Sequence, residues 1–237
     1  MRPIALFRGL VIFLALAAAL ALLASGPGYR LGAWHFRTGI SLVRWAGYLG
    51  IAGTVLAIVG LAVPLLRARS IAAALVIAGV VAAITGVWAS RASSVPRIHD
   101  ISTDTVDPPQ LVATLPLRAG AENTAVYGGP KLAAEQKRGY PDIAPLALPV
   151  PPQAAFERAQ RVAGEMGWQI VAADPAAGRL EATDTTAWFG FHDDIVVRIS
   201  PAGGGSRVDV RSVSRVGRSD IGTNAKRIRA FLARLAA

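Results

Sequence analysis

The chain has 237 residues, of which 53% are hydrophobic, with a formal net charge of +10 and no cysteine. The missing cysteines exclude disulfides, cysteine-ligated zinc, iron–sulfur clusters and a lipidated cysteine anchor. All fifteen acidic residues lie after residue 91, whereas the first ninety residues contain seven arginines and no acid. Because a carboxylate is costly in hydrocarbon, this distribution predicts a membrane-embedded first third and a water-soluble remainder.

Three long apolar runs follow one another in the first third. A spanning helix needs about 20 apolar residues, which predicts transmembrane helices at about 4–25, 45–66 and 70–90 in a membrane domain of residues 1–91. The second and third runs are joined by only four residues, 67–70, so they form an antiparallel hairpin.

Small residues recur at four-residue spacing on the second predicted helix, at Ala46, Gly50 and Thr54. Small side chains let two helix backbones approach closely, so these positions are candidates for a helix contact. The alternative is the ordinary glycine and alanine content of an apolar helix.

The first apolar run and the arginines that flank the three runs indicate how the chain is oriented in the membrane. The run is also typical of a signal peptide, but we expect it to be retained because its length fits a span. With the N-terminus inside, the inner side carries four arginines and the outer side five, so the positive-inside rule does not decide. A basic start favours an inside N-terminus. We therefore expect an integral protein of a bacterial inner membrane whose C-terminal domain is periplasmic.

The segment after the membrane domain is rich in proline. Residues 92–152 hold ten of the fifteen prolines, which disfavours long helices and central strands. Apolar residues recur from Ile98 to Leu146, as in a segment that packs against something. We predict an extended strap over residues 92–151 that lies across a folded body, with a short helix near 130–138.

From residue 152 the apolar pattern becomes regular. Residues 153–166 have helical spacing, and Gly167 ends that helix. Four strands are predicted after it, at about 168–173, 179–187, 195–200 and 206–214.

The connectors between these strands are short. His192-Asp193-Asp194 is interpreted as a turn, and a last helix is predicted to begin near Ser219 or Asp220, both good N-cap types. Residues 152–237 thus form an α+β domain: helix, four-strand antiparallel meander, helix, with both helices on one face.

Several motifs of the soluble region occur together in a known family. They are Tyr140-Pro141-Asp142-Ile143, Glu181 to Thr186, Phe189 to Asp194 and the long run from Val210 to Ile228. Over roughly residues 97–235 the chain resembles the uncharacterised family called domain of unknown function 1499, in its form with three N-terminal spans. The resemblance implies this architecture and no activity. The tail is also similar to the helix-and-sheet domains of outer-membrane assembly lipoproteins, at the level of fold alone.

The densest chemical feature is the basic C-terminal segment, where nine basic residues after residue 195 face only two acids. A guanidinium suits phosphate and carboxylate, and a helix start adds free amides, so we predict an anion site with lipid phosphate as its first ligand. Its residues are Arg211, Arg215, Arg218, Ser219, Lys226 and Arg227. The alternative is a structural network of ion pairs with Asp184, Asp193, Asp194 and Asp220.

A second polar cluster consists of Asp184, His192, Asp193 and Asp194. A histidine among carboxylates can supply acid–base chemistry or metal ligands, but turn chemistry explains aspartates in a turn equally well. We expect no catalytic residue, metal or cofactor, since phosphate-loop, dinucleotide and nucleophile-elbow motifs are also missing from the sequence.

The predicted function is binding. A non-catalytic domain of an integral membrane protein would bind an anionic lipid, an envelope polymer or an envelope protein. The alternative is a membrane-anchored enzyme that acts on an envelope substrate through the second polar cluster. A cytoplasmic nucleic-acid binder requires the opposite topology, and no nucleic acid is expected because +7 of the net charge lies in the membrane third. The bilayer is the expected partner, and the sequence leaves the oligomeric state open.

Overall fold

The computed structural model describes residues 2–237. The chain divides into two compact units. The first comprises the residues up to 91 together with 188–190, and the second comprises 92–187 and 191–237. Three long N-terminal helices followed by an antiparallel sheet with helices confirm the predicted α+β architecture.

The first unit contains the helices α1 (Arg2–Arg30), α2 (Phe36–Ala62) and α3 (Arg69–Ser94). Each is long and apolar enough to cross a membrane, so the chain is a membrane protein with three candidate spans. Helices α1 and α3 extend beyond their predicted apolar runs at both ends, whereas α2 begins nine residues earlier than predicted and ends four residues earlier, at Ala62. Apolar composition reports only the part of a helix suited to hydrocarbon, whereas backbone hydrogen bonding continues into polar sequence.

Small residues on α2 bring it close to α3. A Cβ on Gly50 would lie 3.1 Å from the carbonyl oxygen of Ala78, and one on Gly47 would lie 3.0 Å from Oγ1 of Thr85. Ala46 is fully buried, whereas the Thr54 hydroxyl donates to the carbonyl of Gly50 in its own helix. The close approach predicted from the small residues is therefore confirmed for this part of α2.

One end of the helical unit is tied together by Arg8. Its guanidinium donates to the carbonyl oxygens of Leu66 at 3.1 Å and Arg67 at 2.7 Å, in the connection between α2 and α3. These carbonyls follow the end of α2, where helical partners run out. The start of α1 and the α2–α3 connection thus lie at the same end.

The second unit begins with short elements in the strap. These are β1 (Asp100–Ser102), α4 (Gly129–Gly139) and β2 (Leu146–Leu148). They are followed by α5 (Pro152–Glu165), β3 (Gln169–Asp174), β4 (Arg179–Thr185), β5 (His192–Ala202), β6 (Gly205–Ser214) and α6 (Thr223–Ala236). The short helix predicted in the strap is confirmed as α4.

The sheet is larger than the predicted meander. Strands β3 to β6 form that meander, and both β1 and β2 pair antiparallel with the other edge of β6. The sheet therefore has six strands, two of which come from the strap. A three-residue strand is too short to display a period of two, which is why the sequence pattern predicted only an extended segment there.

The two faces of the sheet are covered by different parts of the chain. On the helix face, Ile195 and Val197 pack in one apolar core with Phe156 of α5 and Phe231 of α6. On the strap face, Leu111 packs on Val196 in a much smaller apolar cluster. Both predicted helices thus lie on one face, and the part of the strap around Leu111 covers the other. The two ends of the strap also contribute to the helix-face core, through Ile98, Ile101, Tyr140, Ile143 and Leu148.

The predicted turn at His192-Asp193-Asp194 is wrong. These residues begin β5, where Asp193 lies opposite Asp184 and Asp194 lies opposite Thr183. Aspartate is disfavoured in strands, which suggested a turn. Ion pairs with distant arginines stabilise the strand here, and no local pattern reveals them.

The predicted start of the last helix is also wrong, because α6 begins at Thr223. Ile221 and Gly222 have φ angles of +53° and +78°, in the left-handed region that a right-handed helix excludes. Asp220 still performs helix-capping chemistry, since its carboxylate accepts hydrogen bonds from the amides of Gly222 and Asn224.

Candidate functional site

The structure distributes the predicted site residues over three places. Arg211, Arg215, His192 and Asp194 lie on the strap face of the sheet, because alternate residues of a strand share a face. On the helix face lie Asp184, Asp193 and Arg227. The loop of residues 216–222, here called the α6 loop, carries Arg218 and Ser219, and Lys226 follows in α6.

Asp194 is the centre of the strap-face network. Its carboxylate accepts hydrogen bonds from Arg118 at 2.6 Å, from Arg215 at 2.7 and 2.9 Å, and from the Thr183 hydroxyl at 2.7 Å. Burial alone would raise the pKa of Asp194, but hydrogen bonds from Arg215, Thr183 and Arg118 outweigh it and hold the pKa below its ordinary value. The carboxylate is therefore ionised and fully engaged.

Arg211 is fully buried in the same face. It makes a bidentate pair with Asp100, at 2.9 and 2.8 Å, and donates to the carbonyls of Pro109 and Ala125 at 3.2 and 2.8 Å. Its guanidinium also lies 5.3 Å from the ring centroid of Tyr127. Four of its five N–H groups are used within the chain, so Arg211 connects the strap to β6.

His192 lies beside this network. Its Nδ1 is 3.0 Å from Oγ1 of Thr185, the residue opposite it in β4. Burial lowers the pKa of His192, and the charge of Arg215 lowers it further, against the opposing effect of Asp194 and Asp193. The neutral imidazole is therefore favoured at neutral pH. Within residues 2–237, no three His, Asp or Glu side chains are grouped so as to hold a metal ion.

Arg227 of α6 organises the helix-face network. Its guanidinium donates to Asp184 and Asp193, each at 2.7 Å, and to the Ser212 hydroxyl at 3.1 Å. It also donates to the side-chain carbonyl of Asn224. The ion pairs considered in the sequence analysis are thus present for Asp184, Asp193 and Asp194.

The sheet therefore divides the second polar cluster. Asp184 and Asp193 are together on the helix face, and His192 with Asp194 is on the strap face. A general acid and base must both reach one substrate. The four side chains are not brought together at one surface.

Glu181 is a central residue that the sequence analysis missed. Its fully buried carboxylate accepts hydrogen bonds from the amides of Val112, Ala113 and Thr114, at 2.9–3.0 Å, and from the Thr114 hydroxyl at 2.9 Å. This is an anion held by consecutive backbone amides. The donors precede Glu181 by 67 to 69 residues, so no local signal could have identified the contact.

The α6 loop and the first turn of α6 bring two cations and an apolar side chain to the surface. Arg218 and Lys226 are exposed, and neither makes an ion pair within residues 2–237. Ile221 is 46% exposed despite its left-handed backbone. The Ser219 hydroxyl oxygen accepts the Ile221 amide at 3.2 Å and keeps its own proton to donate.

The carboxylate of Asp220 already binds backbone amides at the start of α6. It accepts the amides of Gly222 and Asn224, two of the groups predicted to hold an anion. Burial raises the pKa of Asp220 to about 6, although these two amides oppose the rise. An external anion at this loop would therefore be held by the exposed side chains rather than by these amides.

Comparison of the sequence with protein-family models identifies one family. The model of a family described as "Protein of unknown function (DUF1499)" matches residues 100–235, which include both networks and the α6 loop. No curated protein matches the chain.

Proposed function

We propose, on the premise that the chain belongs to the DUF1499 family of unknown function, that it is a membrane-anchored binding protein. Its second unit takes an anionic ligand, with the phosphate of an anionic lipid as the first candidate, and performs no catalysis of its own. The observation that carries this proposal is that Arg218 and Lys226 are exposed and unpaired while Arg211, Arg215 and Arg227 are held by carboxylates.

The α6 loop has the composition of a lipid-contacting segment. Each cation near an anionic membrane surface contributes about 1 kcal/mol, and an apolar side chain adds burial in the headgroup region. Ile221 supplies that side chain in a backbone conformation that a β-branched residue adopts only at a cost. Strain of this kind is concentrated at binding and switch regions, which supports a role for the loop in recognition.

The membrane unit supports an orientation. The connection of Arg8 to the α2–α3 turn gathers Arg2, Arg8, Arg67 and Arg69 at one end of the helices. With that end inside, three spans lead the second unit to the outer side, which is the periplasm in a diderm bacterium. A reporter enzyme fused after Ala237 that is active only in the cytoplasm would contradict this orientation.

The lipid proposal is tested with the full chain in nanodiscs of neutral phosphatidylcholine. Co-sedimentation is measured with separate vesicles of phosphatidylglycerol and of phosphatidylcholine. We expect binding to the anionic vesicles only. Arg218→Glu combined with Lys226→Glu lowers that binding by about tenfold or more, because two favourable cations become anions.

Arg234→Glu is the matched control, since Arg234 is also exposed but lies in the last turn of α6. It should leave most of the binding intact. Equal binding to both kinds of vesicle, or binding that survives reversal of Arg218 and Lys226, would overturn the lipid assignment. Binding to an isolated envelope polymer or envelope protein, lost in the same double variant, would instead identify the ligand as that molecule.

A further inference from the structure

A second candidate site lies elsewhere in the second unit, between the strap and α4. It is a cleft of about 440 Å3, a volume within the range of small-molecule sites. Its lining residues are Thr105, Val106, Tyr127, Gly129, Pro130, Ala133, Ala134 and Lys137. None of them belongs to the predicted anion site or to the second polar cluster.

One face of α4 forms a wall of this cleft. Pro130, Ala133, Ala134 and Lys137 recur at three- and four-residue spacing, which places them on one side of a helix. The first three are apolar and small, so they leave space, and Val106 adds an apolar side chain that is 91% exposed. Lys137 is exposed and makes no ion pair within residues 2–237. The wall is therefore apolar along its length with a cation one turn beyond Ala133 and Ala134.

Tyr127 lines the same cleft and carries a hydrogen-bond donor that is not used within the described chain. Its hydroxyl oxygen is buried and has no hydrogen-bond partner in the described chain, whereas its ring is held by the cation–π contact with Arg211. Burial raises the pKa of Tyr127 to about 12, so the hydroxyl keeps its proton at physiological pH. A buried hydroxyl without a partner costs about 1–3 kcal/mol, and an acceptor on a ligand would remove that cost.

We propose that this cleft binds a small amphiphile with an apolar body and a carboxylate end. The body lies against Pro130, Ala133 and Ala134, and the carboxylate accepts hydrogen bonds from the ammonium group of Lys137 and the hydroxyl of Tyr127. An apolar wall with few converging polar groups is the usual composition of a small-molecule site. The site is separate from the α6 loop and does not depend on lipid binding there.

The test uses the full chain in nanodiscs and 4-phenylbutyrate, a water-soluble amphiphile, as the probe. Isothermal titration calorimetry measures its affinity, with 4-phenylbutanol as the neutral counterpart. We expect saturable binding of the carboxylate and about tenfold weaker binding of the alcohol, since a charge-assisted hydrogen bond is lost. Tyr127→Phe and Lys137→Gln should each weaken the binding of 4-phenylbutyrate by about three- to tenfold.

Two variants fill the cleft without touching its polar groups. Ala134→Leu should abolish binding, and the smaller Ala133→Val should weaken it, with thermal unfolding measured to confirm that each variant folds. Matched controls are Tyr140→Phe, which alters another tyrosine with an unpartnered buried hydroxyl, and Lys131→Gln, which alters another α4 lysine. Both controls should bind like the unaltered chain.

The proposal is overturned if the carboxylate does not bind saturably, if the alcohol binds equally well, or if the control variants weaken binding as much as Tyr127→Phe and Lys137→Gln. The double reversal of Arg218 and Lys226 should leave 4-phenylbutyrate binding unchanged. Failure of the lipid proposal and failure of this one are therefore distinguishable.

Discussion

On the helix face of the sheet, Phe231 stacks on Trp168 with ring centroids 4.9 Å apart, whereas on the strap face Arg211 lies fully buried against Asp100. The first contact joins α6 to the residue that precedes β3, and the second joins β6 to β1 of the strap. The first depends on apolar area removed from water, which has little directional preference. The second depends on a planar fork of N–H groups that fits one carboxylate in one orientation.

The difference is explained by what each covering layer can offer. Helices α5 and α6 present apolar stripes, so burial alone positions them. On its own face of the sheet the strap has little regular structure and contributes only a small apolar cluster around Leu111 and Ala125. Its other apolar residues join the core on the helix face: Ile98, Ile101, Tyr140, Ile143 and Leu148. Its register on the sheet is therefore specified by directional contacts to buried ions, at Arg211, Asp194 and Glu181. We infer that the buried charges of the strap face provide specificity more than net stability.

The largest effect is expected on the helix face, from Phe231→Ala. Loss of a fully buried aromatic ring and its stacking on Trp168 should lower the free energy of unfolding of the second unit by about 4 kcal/mol. Hydrogen exchange of peptides from β5 and β6, measured by mass spectrometry, reports this stability. Leu232→Ala, at a partly buried neighbour, should cost less. If Phe231→Ala lowered the free energy of unfolding by less than Leu232→Ala does, burial would not be the main source of stability on this face.

On the strap face, Arg211→Met should cost about 3 kcal/mol, because Asp100 is left as a buried charge without its partner. Adding Asp100→Leu should recover most of the lost stability, since an apolar pair leaves no buried charge without a partner. The same exchange measurement on β1 and β6 distinguishes the two outcomes. If the double variant stays as unstable as the single one, the pair contributes net stability and the contrast between the faces is smaller than inferred.

Glu181→Gln tests the backbone contacts of the strap. The amide is nearly the same size, but its NH2 group faces donors instead of accepting from them, so we expect a loss of about 2 kcal/mol. Exchange at the amides of residues 112–114 should rise more than exchange in α5. Glu165→Gln, at an exposed position, serves as the control and should change neither. A uniform rise across the unit would mean that Glu181 does not act through the strap.

The smallest effect concerns the pH dependence of stability, where Asp194 on the strap face and Asp220 in the α6 loop act with opposite sign. The lowered pKa of Asp194 adds stability that is present above the unfolded pKa and is lost as pH falls through the folded value. The raised pKa of Asp220, about 6 against 3.8, adds stability that is present below 3.8 and is lost as pH rises through about 6.

Asp220→Asn should therefore reduce the fall in stability between pH 4 and 6 without altering the acid side of the profile. Thermal unfolding of both proteins across that interval provides the measurement. A profile that is unchanged in the variant would show that Asp220 does not titrate in the interval.

Local sequence patterns predict much of the fold, but they do not predict the partners of the site residues. The acid-free first third, the apolar periodicity of α5 and the alternation of Val208 and Val210 in β6 are contained in short stretches of sequence. The arginines that bind Asp193 and Asp194 and the backbone amides that bind Glu181 come from 21 to 76 residues away. An aspartate held by a distant arginine has the same local sequence as an aspartate in a turn, so the sequence pattern predicts a start of β5 three residues too late.

The position of β6 in the sheet determines when the second unit can be completed during synthesis. Residues 205–214 are next to last among its regular elements, yet β1, β2 and β5 all pair with them. Strand β1 emerges from the ribosome more than a hundred residues before the strand it pairs with, since Asp100 of β1 lies opposite Val213 of β6. The second unit therefore cannot close before residues 205–214 are synthesised, and a polypeptide truncated before residue 205 would expose an unpaired strap to proteases and chaperones.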